Sequence, residues 1–310
     1  ILTDNKCYVN WYVRNKENVM HIKKYGKNLT YLRSVNFDKK KIHVSDSIEE
    51  ITQQSDIIIL AIPSPFLEKE LLKIQFQIIN KIVFSALKGV IPESNLIVSE
   101  HLNSFYNIPI TRIGIITGPC HAEEVALEKL SYLTVASKNK SIGEEMKGVL
   151  TSSYIRVKFS EDTMGAEYAS MLKNIYALTA GIAHGLNYGD NFQSVLISNS
   201  VKEMKRFINS INKVKRDIND SEYLGDLLVT AYSAFSRNRT LGNMLGKGYS
   251  LKAAFSEMSM ISEGYYATKN AFNIVKKSSN EFPIIHATYG ILYKNLSPKK
   301  LMKTLSEKLN

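Results

Sequence analysis

Through the first half of the chain, short apolar runs alternate with amphipathic stretches. Residues 7–13, 56–62, 82–85, 112–117, 133–136 and 155–159 are rich in Ile, Val, Leu or aromatics, which predicts buried strands. Residues 65–74, 94–105, 121–127 and 143–150 instead repeat apolar positions at helical spacing. Strand alternating with helix predicts parallel βαβ units and an α/β doubly wound sheet of the Rossmann type. Beyond Asp162 the strand-like runs stop, and helical periodicity covers 163–184, 192–208, 238–244, 251–257, 264–276 and 284–293. Ser297 and Pro298 read as the cap and first turn of a last helix. The expected organisation is an α/β domain at 1–161 followed by an all-α C-terminal domain at 162–310.

Composition changes this picture little. A chain of 310 residues, 44% hydrophobic and 22% charged, suits a soluble protein of two domains. Its longest apolar run, 57–63, is far shorter than the roughly 20 residues of a membrane span. Cys7 and Cys120 are too few for a disulfide framework. A cytoplasmic location without stable membrane insertion is therefore expected. The formal charge of +11 fits either an anionic partner or lysines on solvated helix faces. Short scattered pairs such as Lys23-Lys24 and Lys276-Lys277 favour the solvated faces. No RNA- or DNA-binding motif interleaves aromatics with the lysines, so nucleic acid is not an expected partner. The first residue is Ile1 rather than Met, and further residues are expected upstream.

Candidate chemistry gathers at strand ends and helix starts. If 7–13 is the second strand of a dinucleotide-binding sheet, Arg14 lies where the adenosine ribose is read and can accommodate a 2′-phosphate. A surface arginine closing a strand is the equal alternative. The run at 56–62 ends in Pro63-Ser64, at the edge where such sheets bind ligands. The next run ends in Ser85-Ala86-Leu87-Lys88-Gly89, which puts an ammonium at that edge. In Gly118-Pro119-Cys120-His121, a glycine allows close backbone approach beside a helix start that suits an anion. Cys120 reads as a lining residue rather than a reactive thiol.

Lys173 stands in an otherwise apolar helix, so its ammonium either faces a cleft or snorkels out of a buried surface. Desolvation and a neighbouring cation both lower a lysine pKa toward general acid–base use, and Lys88 is the candidate neighbour. Asp226 follows Leu224-Gly225 in a second charged turn. Ser236 reads as the cap of a helix whose first turn holds Arg237 and Asn238, which suits either a phosphate or a plain cap. Glu263 offers a carboxylate beside another helix start.

Together these segments resemble the bacterial NAD(P)-dependent glycerol-3-phosphate dehydrogenase family. SALKG at 85–89, GPCHAEEVA at 118–126, LKNIYA at 172–177, GLNYGDN at 185–191, LGDLLVT at 224–230 and SRNR at 236–239 appear in the family's order and spacing. Each is weak alone, and the six together are a strong signal over essentially the whole chain. The resemblance implies reduction of dihydroxyacetone phosphate to sn-glycerol 3-phosphate for phospholipid synthesis, with NADPH or NADH as cofactor. It implies Lys173 as the general acid at the C2 oxygen. It implies Lys88, Gly118, Cys120, Asp226, Ser236, Arg237 and Asn238 as substrate contacts, with Asp226 also orienting Lys173. Arg14, Lys88, Ala122, Arg237, Ile261 and Glu263 match cofactor positions. No metal is implied, and the family is often a homodimer.

The chain departs from that pattern in places. Cys120 stands where the family commonly has Ser, and His121 where it has an aromatic; a thiol is the poorer hydrogen-bond partner. The family's GxGxxG turn does not occur, so the first strand and glycine-rich loop of the sheet are expected to be missing. Two alternatives stay open: a related dehydrogenase acting on another phosphorylated hydroxy compound, and a truncated, non-catalytic paralogue.

Overall fold

The computed structural model describes residues 1–258 and 262–310. The chain forms two compact units, one of Ile1–Leu87 with Val98–Thr163, the other of Lys88–Ile97 with Met164–Asn310. A boundary near Glu161 assigns 88–97 to the first half, whereas by contact this segment groups with the helices.

The first unit opens with β1 (Val9–Tyr12), α1 (Lys16–Tyr25), β2 (Ile42–Ser45) and α2 (Ile48–Gln53). It continues through β3 (Ile57–Leu60), α3 (Ser64–Leu71), α4 (Gln75–Ile78) and β4 (Ile82–Ser85). A small hairpin, β5 (Val90–Ile91) with β6 (Leu96–Ile97), belongs to the second unit. The chain then resumes with α5 (Val98–Tyr106), β7 (Ile113–Thr117), α6 (Ala122–Val125), β8 (Ser131–Ser137), α7 (Lys140–Leu150) and β9 (Ile155–Ser160).

Two sheets result. β1 and β2 pair in parallel, and a five-stranded sheet runs β3-β4-β7-β8-β9. Its central strands read as continuous apolar runs because both faces are covered: Val83, Phe84, Ile113 and Ile115 have no exposed surface. The expectation of uniformly parallel pairing fails at β7–β8, which is antiparallel, with Gly114 opposite Ser137. The connection between these strands holds only the single turn α6, not the crossover helix that carries a chain back for parallel pairing. The helix anticipated over 121–127 shrinks accordingly.

The second unit is helical: α8 (Thr163–Gly185), α9 (Asp190–Ile211), α10 (Asp226–Tyr232), α11 (Arg237–Gly246), α12 (Leu251–Glu257), α13 (Glu263–Val275), α14 (Pro283–Lys294) and α15 (Pro298–Ser306). Residues 165–183 of α8 are buried on every side, which accounts for its all-round apolar sequence. α9 sends the buried Glu203 carboxylate to cap α14, accepting from the amides of Ile284 (2.9 Å) and Ile285 (3.0 Å).

α8 and α11 touch backbone to backbone through two pairs of glycines. A Cβ on Gly242 would lie 2.0 Å from the Leu178 oxygen, and one on Gly246 would lie 2.4 Å from the Ile182 oxygen. On the facing helix, a Cβ on Gly181 would meet the Arg239 oxygen at 2.1 Å, and one on Gly185 the Asn243 oxygen at 2.3 Å. Only glycine permits this approach. The contacts advance together along both helices, so α8 and α11 run in the same direction with one fixed register.

Candidate active site

That register brings the start of α11 to the middle of α8. One turn before Gly242 meets Leu178, Asn238 donates from Nδ2 to Asn174 Oδ1 at 2.8 Å. Asn174 in turn donates to the Lys88 carbonyl at 2.7 Å, tying the Lys88 segment to α8. Asn238 Oδ1 accepts from Ser262 Oγ (2.6 Å) and from the Gly264 amide (2.9 Å). Gly264 is required here, since a Cβ would lie 2.7 Å from the Asn174 oxygen and 2.8 Å from Asn238 Oδ1. Segments far apart in sequence are thus locked around the residue next to Asn174.

That residue is Lys173. It is 2% exposed, and its ammonium donates to Oδ1 of Asp226, which is 1% exposed. Asp226 opens α10 directly after a wide helical turn over Ser221–Gly225, a distortion common at functional sites. Thr230 Oγ donates back to the Asp226 carbonyl at 2.6 Å, bracing that turn. Burial pushes the Lys173 pKa down, the Asp226 carboxylate pulls it up, and the Lys88 ammonium pushes it down again, leaving it at about 7. A group poised there can give or take a proton near neutral pH. Two cations against one carboxylate leave the cluster with surplus positive charge, suited to an oxyanion.

Ser236 is buried and caps α11, its Oγ accepting from the Arg239 amide at 3.3 Å. Arg237 is exposed in the first turn, whereas Asn238 is buried with its amide group committed to Asn174, Ser262 and Gly264. Glu263 opens α13, next to the capping position Ser262. Ile261 lies outside the described residues.

Arg14, Gly118, Cys120 and Ala122 belong to the first unit. Arg14 is exposed immediately beyond β1, its guanidinium 5.9 Å from the centre of the Phe66 ring on α3. No side chain caps the start of α3 behind Pro63, but Pro65 has no amide hydrogen and the Phe66 amide donates to the Pro63 carbonyl at 2.9 Å, so the Ser64 amide alone is left for an anion there. An exposed guanidinium over an aromatic face at a strand end fits a phosphate of a dinucleotide. Gly118 adopts φ +114°, and a Cβ there would lie 2.9 Å from the Tyr132 oxygen. Cys120 is half-buried against the apolar cluster that includes Leu133 and Val135. Ala122 begins α6, whose four residues make a far weaker anion site than the longer helix anticipated there.

Asn174, Thr230, Ser262 and Gly264 were not among the sequence candidates. Asn174 carries the same signal as Lys173, a polar side chain in an apolar helix; the others are legible only in space.

Models of the two halves of NAD-dependent glycerol-3-phosphate dehydrogenase match residues 1–143 and 162–303. A glycerol-3-phosphate dehydrogenase, described as using NAD(P)+, from Staphylococcus aureus strain JH9 is 31% identical over 313 residues. That alignment covers 99% of this chain and 93% of the relative. A crystal structure of glycerol-3-phosphate dehydrogenase from Coxiella burnetii shares the fold with a TM-score of 0.91 at 24% identity, over 99% of this chain and 93% of that one. The enzyme from Saccharomyces cerevisiae gives 0.80 at 23% identity, over 96% and 90%.

Proposed function

The chain belongs to the NAD-dependent glycerol-3-phosphate dehydrogenase family, and from that membership we propose what its residues do. The activity is NAD(P)H-dependent reduction of dihydroxyacetone phosphate to sn-glycerol 3-phosphate, which serves phospholipid synthesis. The reduced nicotinamide supplies the hydride when bound. Lys173 protonates the C2 oxygen as negative charge grows on it, and takes that proton back in the reverse direction. Asp226 holds the Lys173 ammonium in place and keeps it protonated. Lys88 adds a second cation that favours the oxyanion and keeps Lys173 acidic enough to release its proton.

Ser236, Arg237 and the first turn of α11 take the substrate phosphate, with Asn238 as the post that positions this turn against Asn174. Gly118 and Cys120 line the substrate, and Ala122, Ile261 and Glu263 contact the cofactor, as the family resemblance implies. Arg14, stacked on Phe66, takes an adenosine phosphate. The segment 1–161 thus acts mainly as the dinucleotide-binding domain and 162–310 as the catalytic one. By the same resemblance the protein works in the cytoplasm as a pair of identical chains; no helix among the described residues is long and apolar enough to cross a membrane.

The observation that carries this reading is the buried Lys173–Asp226 pair with Lys88 held beside it through Asn174. Oxidation of NADPH or NADH on adding dihydroxyacetone phosphate, abolished in Lys173→Ala, tests it. A Lys173→Ala variant that turned over at the wild-type rate would overturn the assignment. Sedimentation tests the pairing, since one chain weighs 35.0 kDa and a pair twice that.

A further inference from the structure

One segment near the start of the chain carries a large share of the positive charge. Residues 14–41 hold nine Lys or Arg against two acids, Glu17 and Asp38, so 28 residues carry +7 of the formal +11. They comprise Arg14, α1 and the loop that follows it. α1 buries Val19 and Ile22 and turns Lys16, Met20, Lys23, Lys24 and Tyr25 outward. Lysines in the last turn of a helix are ordinary partners of its free carbonyls, which accounts for Lys23 and Lys24. Lys39 does the same from the loop, donating to the Lys24 carbonyl at 3.2 Å, but this role does not account for Lys27, Arg33 and Lys40, which lie beyond the helix.

Lys24, Lys27, Arg33 and Lys40 have no carboxylate within salt-bridge distance among the described residues. His21, Lys27, Asn28, Leu29 and Arg33 line a hollow of about 260 Å³. Set among these cations are exposed apolar or amphipathic side chains: Met20 at 64%, and Tyr25 and Tyr31 at 55% each.

We propose that α1 and the loop to Lys41 form a docking surface for an anionic phospholipid bilayer. Unpaired cations meet lipid phosphates, the hollow receives a headgroup, and Met20, Tyr25 and Tyr31 enter the interface. The apolar stripe of α1 is used inside the protein, so attachment rests on charge and is peripheral, reversible and salt-sensitive. Duplex nucleic acid matches the charge but offers no apolar layer for Met20 and the tyrosines, and the bilayer is therefore favoured. Docking here would bring an enzyme of lipid-precursor synthesis to the surface where lipid is assembled. The proposal does not depend on the roles assigned to Lys173 or Asp226.

Flotation of the full chain with vesicles of phosphatidylcholine alone, and of phosphatidylcholine with about a third phosphatidylglycerol, tests the proposal. Binding is expected only to the anionic vesicles and is expected to vanish at high salt. Lys27→Glu/Arg33→Glu/Lys40→Glu should weaken it by more than about 100-fold, the loss from three cations at roughly fivefold each before the added repulsion of the new carboxylates, with turnover and melting temperature unchanged. Lys299→Glu/Lys300→Glu/Lys303→Glu, with the same change in net charge on exposed residues of α15, should bind as wild type does. No flotation of the wild type, or equal loss in both triple variants, overturns the proposal. So does retention of duplex DNA without vesicle binding, or displacement from vesicles by NADPH, which would give the hollow to the cofactor.

Discussion

Replacing Asp226 by Asn keeps the shape of the site and removes one charge, and its effect on the pH profile can be worked out in advance. The carboxylate is in direct contact with the Lys173 ammonium inside the fold. Two unit charges about 4 Å apart interact by about 4 kcal/mol at an effective dielectric near 20. The amide oxygen retains part of that attraction, so a loss of about 3 kcal/mol, or roughly two pKa units, is expected. Lys173, held at about 7 in the wild type, should fall toward about 5 once only burial and Lys88 act on it. Reduction needs the ammonium form, which is present below the pKa and lost as pH rises through it. At pH 7 the protonated fraction should drop from about a half to about one in a hundred, slowing reduction roughly 50-fold. Near pH 5 most of the rate should return. Initial rates of NADPH oxidation at saturating dihydroxyacetone phosphate, measured across pH for both proteins, provide the assay, with thermal melting as a check on folding. A falling limb at the wild-type pH, or one displaced upward, would refute the claim that Asp226 sets the protonation of Lys173.

Three further outcomes follow from named contacts. Gly242→Ala drives a methyl into the Leu178 carbonyl, and should cost about 3 kcal/mol or prevent folding; a melting temperature within a degree or so of wild type would contradict the close helix crossing. Glu203 has a folded pKa of about 7 against an ordinary 4.5 because burial disfavours its charge. Its contribution to stability is therefore full below about 4.5 and lost as pH rises to about 7, a change of about 3 kcal/mol that Glu203→Gln should abolish in denaturant titrations across this window. Arg14→Ala should raise the KM for NADPH, through the lost phosphate contact, more than the KM for NADH; equal changes in both would remove Arg14 from the 2′-phosphate.

Much of the fold is legible along the chain because burial on both faces makes β4 and β7 continuous apolar runs. α1, β2 and α2 escape that reading. α1 buries only Val19 and Ile22 among charged neighbours, and β2 is four residues long with His43 exposed. The direction of β8 is hidden for a different reason: apolar periodicity says nothing about which way a strand runs, and the single turn α6 decides it. Lys173 stands out in sequence because a cation in an apolar helix demands an explanation, whereas the hydrogen bonds of Asn238 to Asn174, Ser262 and Gly264 join segments that composition cannot pair.

The glycines connect these levels. Gly181 and Gly185 in α8, and Gly242 and Gly246 in α11, show the same four-residue spacing in sequence, but nothing there says that the two pairs face each other. In space they let the backbones touch, and that contact admits only one register. The same register sets Asn238 against Asn174, and Asn174 holds the Lys88 carbonyl beside Lys173. Positioning of the proton donor therefore begins two turns away, in residues with no side chain. A Gly246→Ala variant that still folds should accordingly lose kcat more than KM, because it shifts the frame that holds Lys173 while leaving every polar group of the site in place. Steady-state kinetics showing a KM defect alone would break the link between the glycine crossing and the chemistry.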